Sequence, residues 1–393
     1  MQTTREGVPV RRLEIAAYAG MFVFGIVMAL LGAILPVIAG RLHVDLARAG
    51  SLFGAMGGAM LVSGFASGPF MDRYGKKSPM VFGPLLTALA VCLMAGAASY
   101  TSLMTAVLAL GFGGGVINSV TNAVVADLHD DPRRKSSALM LLGVFFGIGA
   151  LALPFAIGRL LAALGLERIL LASAALAGVA AVLAAVPRYP RPAHDRGFSG
   201  REAAKLVRHP VVLALGASLF LQSGNEFVLS GFLATFLTSA LGATVRTASY
   251  LLALYWTTVL AARLGFSRLL LRAPGPLVLV AGGIGSAVGV IWIALSGSLA
   301  GAAVGIVVLG ACISSIFPTT LGVASSRFAT YSGTVFGILF GMSLTGGLLV
   351  PPVFGVLAGS AGIRLALALP AGAFCGIAAI HGFYTARLSG DRG

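Results

Sequence analysis

Long apolar stretches separated by short charged turns dominate this sequence. A helix needs about 20 mostly apolar residues to cross the hydrocarbon of a bilayer. Stretches of that kind fall at 13–38, 49–70, 78–98, 102–125, 137–161, 169–186, 211–240, 248–270, 277–295, 299–324, 333–357 and 365–384. The pattern predicts an all-α membrane protein with twelve transmembrane helices. The first stretch follows Arg5, Arg11 and Arg12, as a secretory leader would. It is too long for a leader's apolar core and others follow it, so it reads as a membrane span. Residues 187–210 are polar, charged and proline-containing. They divide the chain into an N-terminal six-helix bundle (1–186), a cytoplasmic linker (187–210) and a C-terminal six-helix bundle (211–393).

Composition removes the soluble alternatives. The chain is 58% hydrophobic and 10% charged, against about 45–50% and about 25% for a soluble domain. Its 54 glycines suit close helix approach in lipid, where association relies on packing contacts. The net charge of +15 would fit a nucleic-acid binder if it formed a patch. The basic residues lie instead in short loops, so no nucleic-acid partner is expected. With the N-terminus placed in the cytoplasm, 21 of the 27 lysines and arginines fall in cytoplasmic segments and six outside. That bias puts both termini and the linker in the cytoplasm and requires an even number of spans. A multi-pass protein of the cell inner (plasma) membrane, working as a monomer in the lipid bilayer, is expected.

Catalytic chemistry finds no foothold. Cys92, Cys312 and Cys375 stand singly in apolar stretches, without metal-ligand or disulfide spacing. No G-x-x-x-x-G-K-[ST] loop occurs, which argues against ATP-driven transport. The cluster Gly111–Gly115 lies inside a span and lacks the strand of a dinucleotide fold. Neither a metal nor a cofactor is expected, and the chain does not read as an enzyme.

The two halves repeat. Residues 110–172 align with 309–368 at an offset that drifts from 199 to 196. Each segment leads into a glycine-rich helix, Gly147 to Pro154 or Gly346 to Pro352, and ends at an outer turn with Arg168 or Arg364. Parallel six-span halves are the arrangement of the major facilitator superfamily. The loop after the second stretch resembles that family's signature G-x-x-x-D-R-x-G-[RK]-[RK]. It supplies Gly68, Asp72, Arg73, Gly75, Lys76 and Lys77. Gly68 permits close helix contact, Asp72 can cap or ion-pair, Gly75 permits a tight turn, and the cations anchor the cytoplasmic face. In the family the motif acts as a conformational latch, which the resemblance implies here. The equivalent loop of the second half keeps Arg263, Gly265 and Arg268 but lacks the aspartate. A narrower resemblance, to the fucose–proton symporter and sodium-dependent glucose transporter branch, rests on Phe220-Leu-Gln-Ser-Gly-Asn-Glu226, Ile316-Phe-Pro-Thr319 and Gly346-Gly-x-x-x-Pro-Pro352. The fucose symporters carry carboxylates inside spans one and four. This chain has only Glu14 and Asp127, at the ends of those spans, so that proton site does not transfer whole.

Ionisable groups within hydrocarbon are costly and mark function. Glu226 stands near the middle of the seventh stretch, with Gln222 four residues away and Asn225 beside it. The spacing lets all three line one cavity. Desolvation favours a neutral carboxylic acid, which suits Glu226 to carry a proton; it could also ligate sodium. The amides of Asn118 and Asn122 match hydroxyl-rich solutes, and Tyr255 and Trp256 could stack on a sugar ring. Pro318 is expected to break the tenth span so that Ser315 and Thr319 border a binding site. Asp127, Asp130, Asp131, Arg133, Arg134 and Lys135 read as a solvated loop with gate ion pairs. The whole points to proton-coupled symport of a small polar solute, a sugar among them. An exporter of drugs or amphipathic compounds and a non-transporting membrane sensor stand as alternatives.

Overall fold

A computed structural model describes residues 10–129, 132–189, 206–269, 274–328 and 332–390. Asp130, Asp131 and most of the 187–210 linker therefore lie outside the described residues. The helices are α1 (Val10–Leu42), α2 (Leu46–Tyr74), α3 (Lys77–Ala95), α4 (Tyr100–Leu128) and α5 (Pro132–Ala185). After the linker come α6 (Pro210–Leu241), α7 (Val245–Leu269), α8 (Gly275–Leu295), α9 (Leu299–Ile313) and α10 (Ile316–Arg327). Then follow α11 (Ser332–Ala361), the short α12 (Ile363–Ala366) and α13 (Ala368–Gly390).

Ten stretches have the length and apolarity of a membrane crossing. One of them, Ser137–Ala185, has 49 residues, and at about 1.5 Å per residue that is enough for two crossings of a core about 30 Å thick. The two meet at Gly165, whose φ of 75° and ψ of 163° interrupt the helix. Only glycine holds such a backbone without strain. α7 is long enough to cross but more polar than the ten. Counted with it, the described residues make twelve spans, and no strand occurs among them. The predicted all-α membrane fold is therefore borne out.

Helix ends follow local chemistry. The Ser99 hydroxyl accepts from Ser102 N and starts α4 in a capping box, and the Ser298 hydroxyl accepts from Gly301 N at the start of α9. Each serine satisfies an otherwise orphaned backbone donor. The expected break in the tenth span is present, but it falls at Ser314–Ser315, between α9 and α10. The cause is still Pro318, which has no N–H to give the Ser314 carbonyl and crowds it. Ser314 Oγ donates to Ala311 O (2.7 Å) and Ser315 Oγ to Cys312 O (2.9 Å). The break thus covers these two carbonyls with hydroxyls.

Glycines set the tightest crossings. A Cβ on Gly149 of α5 would collide with Phe22 O of α1, and one on Gly25 with Phe146 O. In the second half, a Cβ on Gly346 of α11 would collide with Phe220 O of α6. The same kind of helix pair is thus closed by a glycine at equivalent places of the internal repeat. Among the described residues two compact units form: those within Met1–Val44, Ala55–Asp195 and Val245–Ala253, and those within Asp45–Gly54, Arg196–Thr244 and Leu254–Gly393. The unit boundaries pass through α2 and α7. In the second unit, Gly50 and Gly54 of α2 lie against the α11 backbone, with the Gly50 Cβ position 2.6 Å from Pro351 O.

Candidate functional site

α6 is built to hold a polar group at its centre. Its N-terminus is capped by His209, whose Nδ1 accepts from Val211 N at 3.2 Å, with Pro210 in the first turn. It ends at Gly242, whose φ is 66°, the usual left-handed stop. Between these ends most of the helix is buried and fastened by small or polar contacts. Ser223 Oγ shares a hydrogen bond with Ser343 Oγ of α11 (2.5 Å). Asn225 Nδ2 donates to Pro370 O of α13 (3.1 Å). Ser218 Oγ lies 2.9 Å from His381 Nε2 of α13. These contacts fix the rotation of α6 about its axis.

The face left over carries the candidate chemistry. Gln222 Nε2 donates to Glu226 Oε2 at 2.8 Å. Gln222 is buried and Glu226 half-buried, so the amide orients the carboxylate while one side of it stays reachable. Tyr255 of α7 is fully buried, and its phenol lies within electrostatic reach of both Glu226 and Arg263. A carboxylate and a guanidinium of opposite charge therefore both act on one buried tyrosine within the second unit. Such a set can bind a hydroxyl-bearing solute or pass charge between two states.

The other predicted residues are placed as follows. Asn225 is turned toward α13 and away from the Gln222–Glu226 pair. Trp256 packs edge-on against Tyr255, ring centroids 5.2 Å apart, and both are buried; neither ring face is open to stack on a solute. Ser315 and Thr319 face α8, where a Cβ on Gly282 would sit 2.9 Å from Ser315 Oγ and one on Gly275 3.6 Å from Thr319 Cγ2. In the first unit, Asn122 Nδ2 donates to Asn118 O (2.8 Å) and Asn118 Oδ1 (3.2 Å). Asn122 remains exposed.

Arg263 and His381 escaped the sequence reading. Arg263 was counted among loop cations, although it shares a helix face with Trp256 at two-turn spacing. His381 sits singly in an apolar stretch, and its only signal was being ionisable there.

The residues of the loop motif are placed as follows. Gly75 has φ 83° and makes the turn between α2 and α3. Lys76 donates to Ala123 O (3.2 Å) and forms an ion pair with Asp127 of α4. Arg73 lies over the Tyr74 ring, 5.3 Å from its centroid, while Asp72 and Lys77 are exposed. Two residues depart from expectation: a Cβ on Gly68 would meet no described atom within 4 Å, and Asp72 makes no cap or ion pair among the described residues. The end carboxylates are engaged, Asp127 as above and Glu14 with His129 Nε2 at 3.0 Å.

Residues 17–223 match the sequence profile of the Major Facilitator Superfamily, more than half of the chain. The chain belongs to that superfamily. Membership and the apolar helices together make it a multi-pass membrane protein. Among curated relatives, it is 35% identical over 124 residues to the multidrug resistance protein MdtL of Shewanella oneidensis, covering 32% of this chain and 31% of that protein. The chain thus spans about a third of that relative's length. It is 25% identical over 333 residues to a glucose/galactose transporter of Brucella abortus, covering 80% of this chain and 79% of the other. Among solved structures, the nucleoside transporter NupG superposes with a TM-score of 0.79 at 15% identity, over 95% of this chain and 98% of that one. A bacterial homologue of the human lysosomal transporter Spinster, inward-facing and unoccupied, gives 0.76 at 15% identity, over 95% and 96%. At such identities the superpositions establish the facilitator fold alone.

Proposed function

We propose that this facilitator is a proton-coupled symporter that brings a small polar solute, such as a sugar, into the cell by alternating access. Glu226 is the coupling carboxylate, and the observation that carries the reading is its position. It lies midway along α6, oriented by Gln222 and within electrostatic reach of the buried Tyr255. An ionisable group kept at that depth needs a use. A proton on Glu226 neutralises it, and the energetic cost of carrying the group through an apolar path falls with it. The likeness to a glucose/galactose transporter over most of the chain supports a sugar-like solute.

In this reading two six-helix bundles, residues 1–186 and 211–393, rock about the site. Both termini and the linker lie in the cytoplasm, the membrane is the cell inner membrane and the working form is a monomer. Gly68, Asp72, Arg73, Gly75, Lys76 and Lys77 form the latch. Asn118 and Asn122 offer amides to the solute. The competing reading is a proton-coupled exporter of amphipathic compounds, favoured by the identity with the multidrug resistance protein.

The test is uptake of a solute panel into proteoliposomes under an imposed pH gradient. Wild type is expected to concentrate a sugar when protons flow inward. Glu226→Gln is expected to exchange the solute but not concentrate it, and Arg263→Gln to lose uptake. Full gradient-driven uptake by Glu226→Gln would remove the coupling role. Gradient-driven extrusion of hydrophobic cations, with no sugar flux, would select the exporter. A sodium gradient replacing the proton gradient identifies the ion.

A further inference from the structure

A second candidate site lies within the first unit. In the first unit, a cavity of about 300 Å³ lies where α5 crosses the start of α7, and it is lined by Ile157, Arg159 and Ala162 of α5 and by Arg246 of α7. The crossing is tight. A Cβ on Gly158 would stand 2.9 Å from the Tyr250 ring and 3.2 Å from Arg246 O. The rings of Phe155 and Tyr250 pack beside it, centroids 5.8 Å apart. The helices are therefore held at a fixed spacing, with both guanidinium-bearing residues bordering the adjoining space.

Two like charges on one cavity repel unless something lies between them. No carboxylate is in the lining. Two other arginines near helix ends, Arg41 and Arg364, are committed to backbone acceptors. Arg41 donates to Ala97 O (2.7 Å), and Arg364 donates to Ser296 O (2.9 Å) and lies over the Phe236 ring. Arg159 and Arg246 are exposed, and both line the cavity, whose lining holds no carboxylate. Arg246 is also in the first turn of α7, where backbone N–H groups add positive potential. We propose that this cavity binds an oxyanion, a phosphate or carboxylate group, clamped between Arg159 and Arg246. Guanidinium forks match the spacing of paired oxygens, and a bound anion would tie α5 to α7 at their crossing. The same chemistry is offered by a free oxyanion and by a phospholipid headgroup.

The experiment follows thermal unfolding of the purified full-length protein. Inorganic phosphate is titrated in detergent against chloride at matched ionic strength. A parallel arm uses nanodiscs of phosphatidylcholine with and without phosphatidylglycerol. Saturable stabilisation by phosphate supports a soluble oxyanion; stabilisation by phosphatidylglycerol alone supports the headgroup. In either case Arg159→Gln and Arg246→Gln should each weaken the response on the order of tenfold, and the double variant should abolish it. If the double variant does not fold, Arg159→Lys/Arg246→Lys takes its place and should bind more weakly, because an ammonium lacks the fork. An undiminished response in these variants, or no wild-type response to either anion, overturns the proposal.

Discussion

Alanine at Gly346 places a methyl group where Phe220 O already stands. Backbone cannot step aside as the end of a flexible side chain can, so α6 and α11 must separate or α11 must shift along its axis. Overpacking of this kind costs about 1–3 kcal/mol. Gly149→Ala meets Phe22 O in the same way and should cost a similar amount, since it closes the equivalent pair, α1 and α5. Gly178 and Gly372 are helical glycines whose Cβ would meet no described atom within 4 Å. Alanine at either gains helix propensity, about 0.5–1 kcal/mol. That gain is common to all four helical positions, so the two classes should differ by the overpacking cost, about 1–3 kcal/mol. The assay is thermal unfolding of the four purified variants in one detergent. Gly346→Ala should also lower uptake, because Phe220 is next but one to Gln222, which orients Glu226. Gly149→Ala has no such neighbour. Midpoints for Gly346→Ala and Gly149→Ala equal to those of Gly178→Ala and Gly372→Ala would refute the close-crossing argument.

Three further outcomes follow from local geometry. Gly75→Ala forces a Cβ onto a φ of 83° and should cost about 1–2 kcal/mol, read as a lower unfolding midpoint. Arg364→Gln removes the donors to Ala294 O and Ser296 O. It should destabilise by about 1 kcal/mol, with little salt dependence because both acceptors are neutral. Tyr189, just beyond the last turn of α5, donates to Ala184 O (3.0 Å), and burial raises its phenol above the usual value. The folded state holds that proton more tightly than the unfolded chain. The associated stability is whole below about pH 10 and fades as pH climbs further toward the raised value. Tyrosinate absorbance should show one fewer late-titrating phenol in Tyr189→Phe than in the wild type.

Much of the architecture was legible along the chain because lipid imposes a rule readable one residue at a time. Every span must be long, apolar and helical, so the stretches, the twofold repeat and the Gly68–Lys77 motif could be recognised without knowing any contact. α7 shows where the rule weakens. Arg246, Tyr255 and Arg263 make it too polar to resemble a typical span, although Tyr255 is buried. Glu226 and Gln222 were legible as a pair because four-residue spacing is a property of the helix itself.

What the sequence determined alone was thus the class of fold, the number of crossings and the presence of a carboxylate midway along α6. Tertiary structure decided what each polar residue faces. Side-chain direction depends on how a helix is rotated against its neighbours, and distant partners set that rotation. Pro370 O claims Asn225, α8 claims Ser315 and Thr319, and Trp256 meets Tyr255. Only the tertiary arrangement brings Tyr255 within electrostatic reach of Glu226, 29 residues earlier in the chain. Only the crossing of α5 with α7 sets Arg159 opposite Arg246, 87 residues later in the chain. Charges that far apart in sequence acquire a common purpose only when the fold closes the distance.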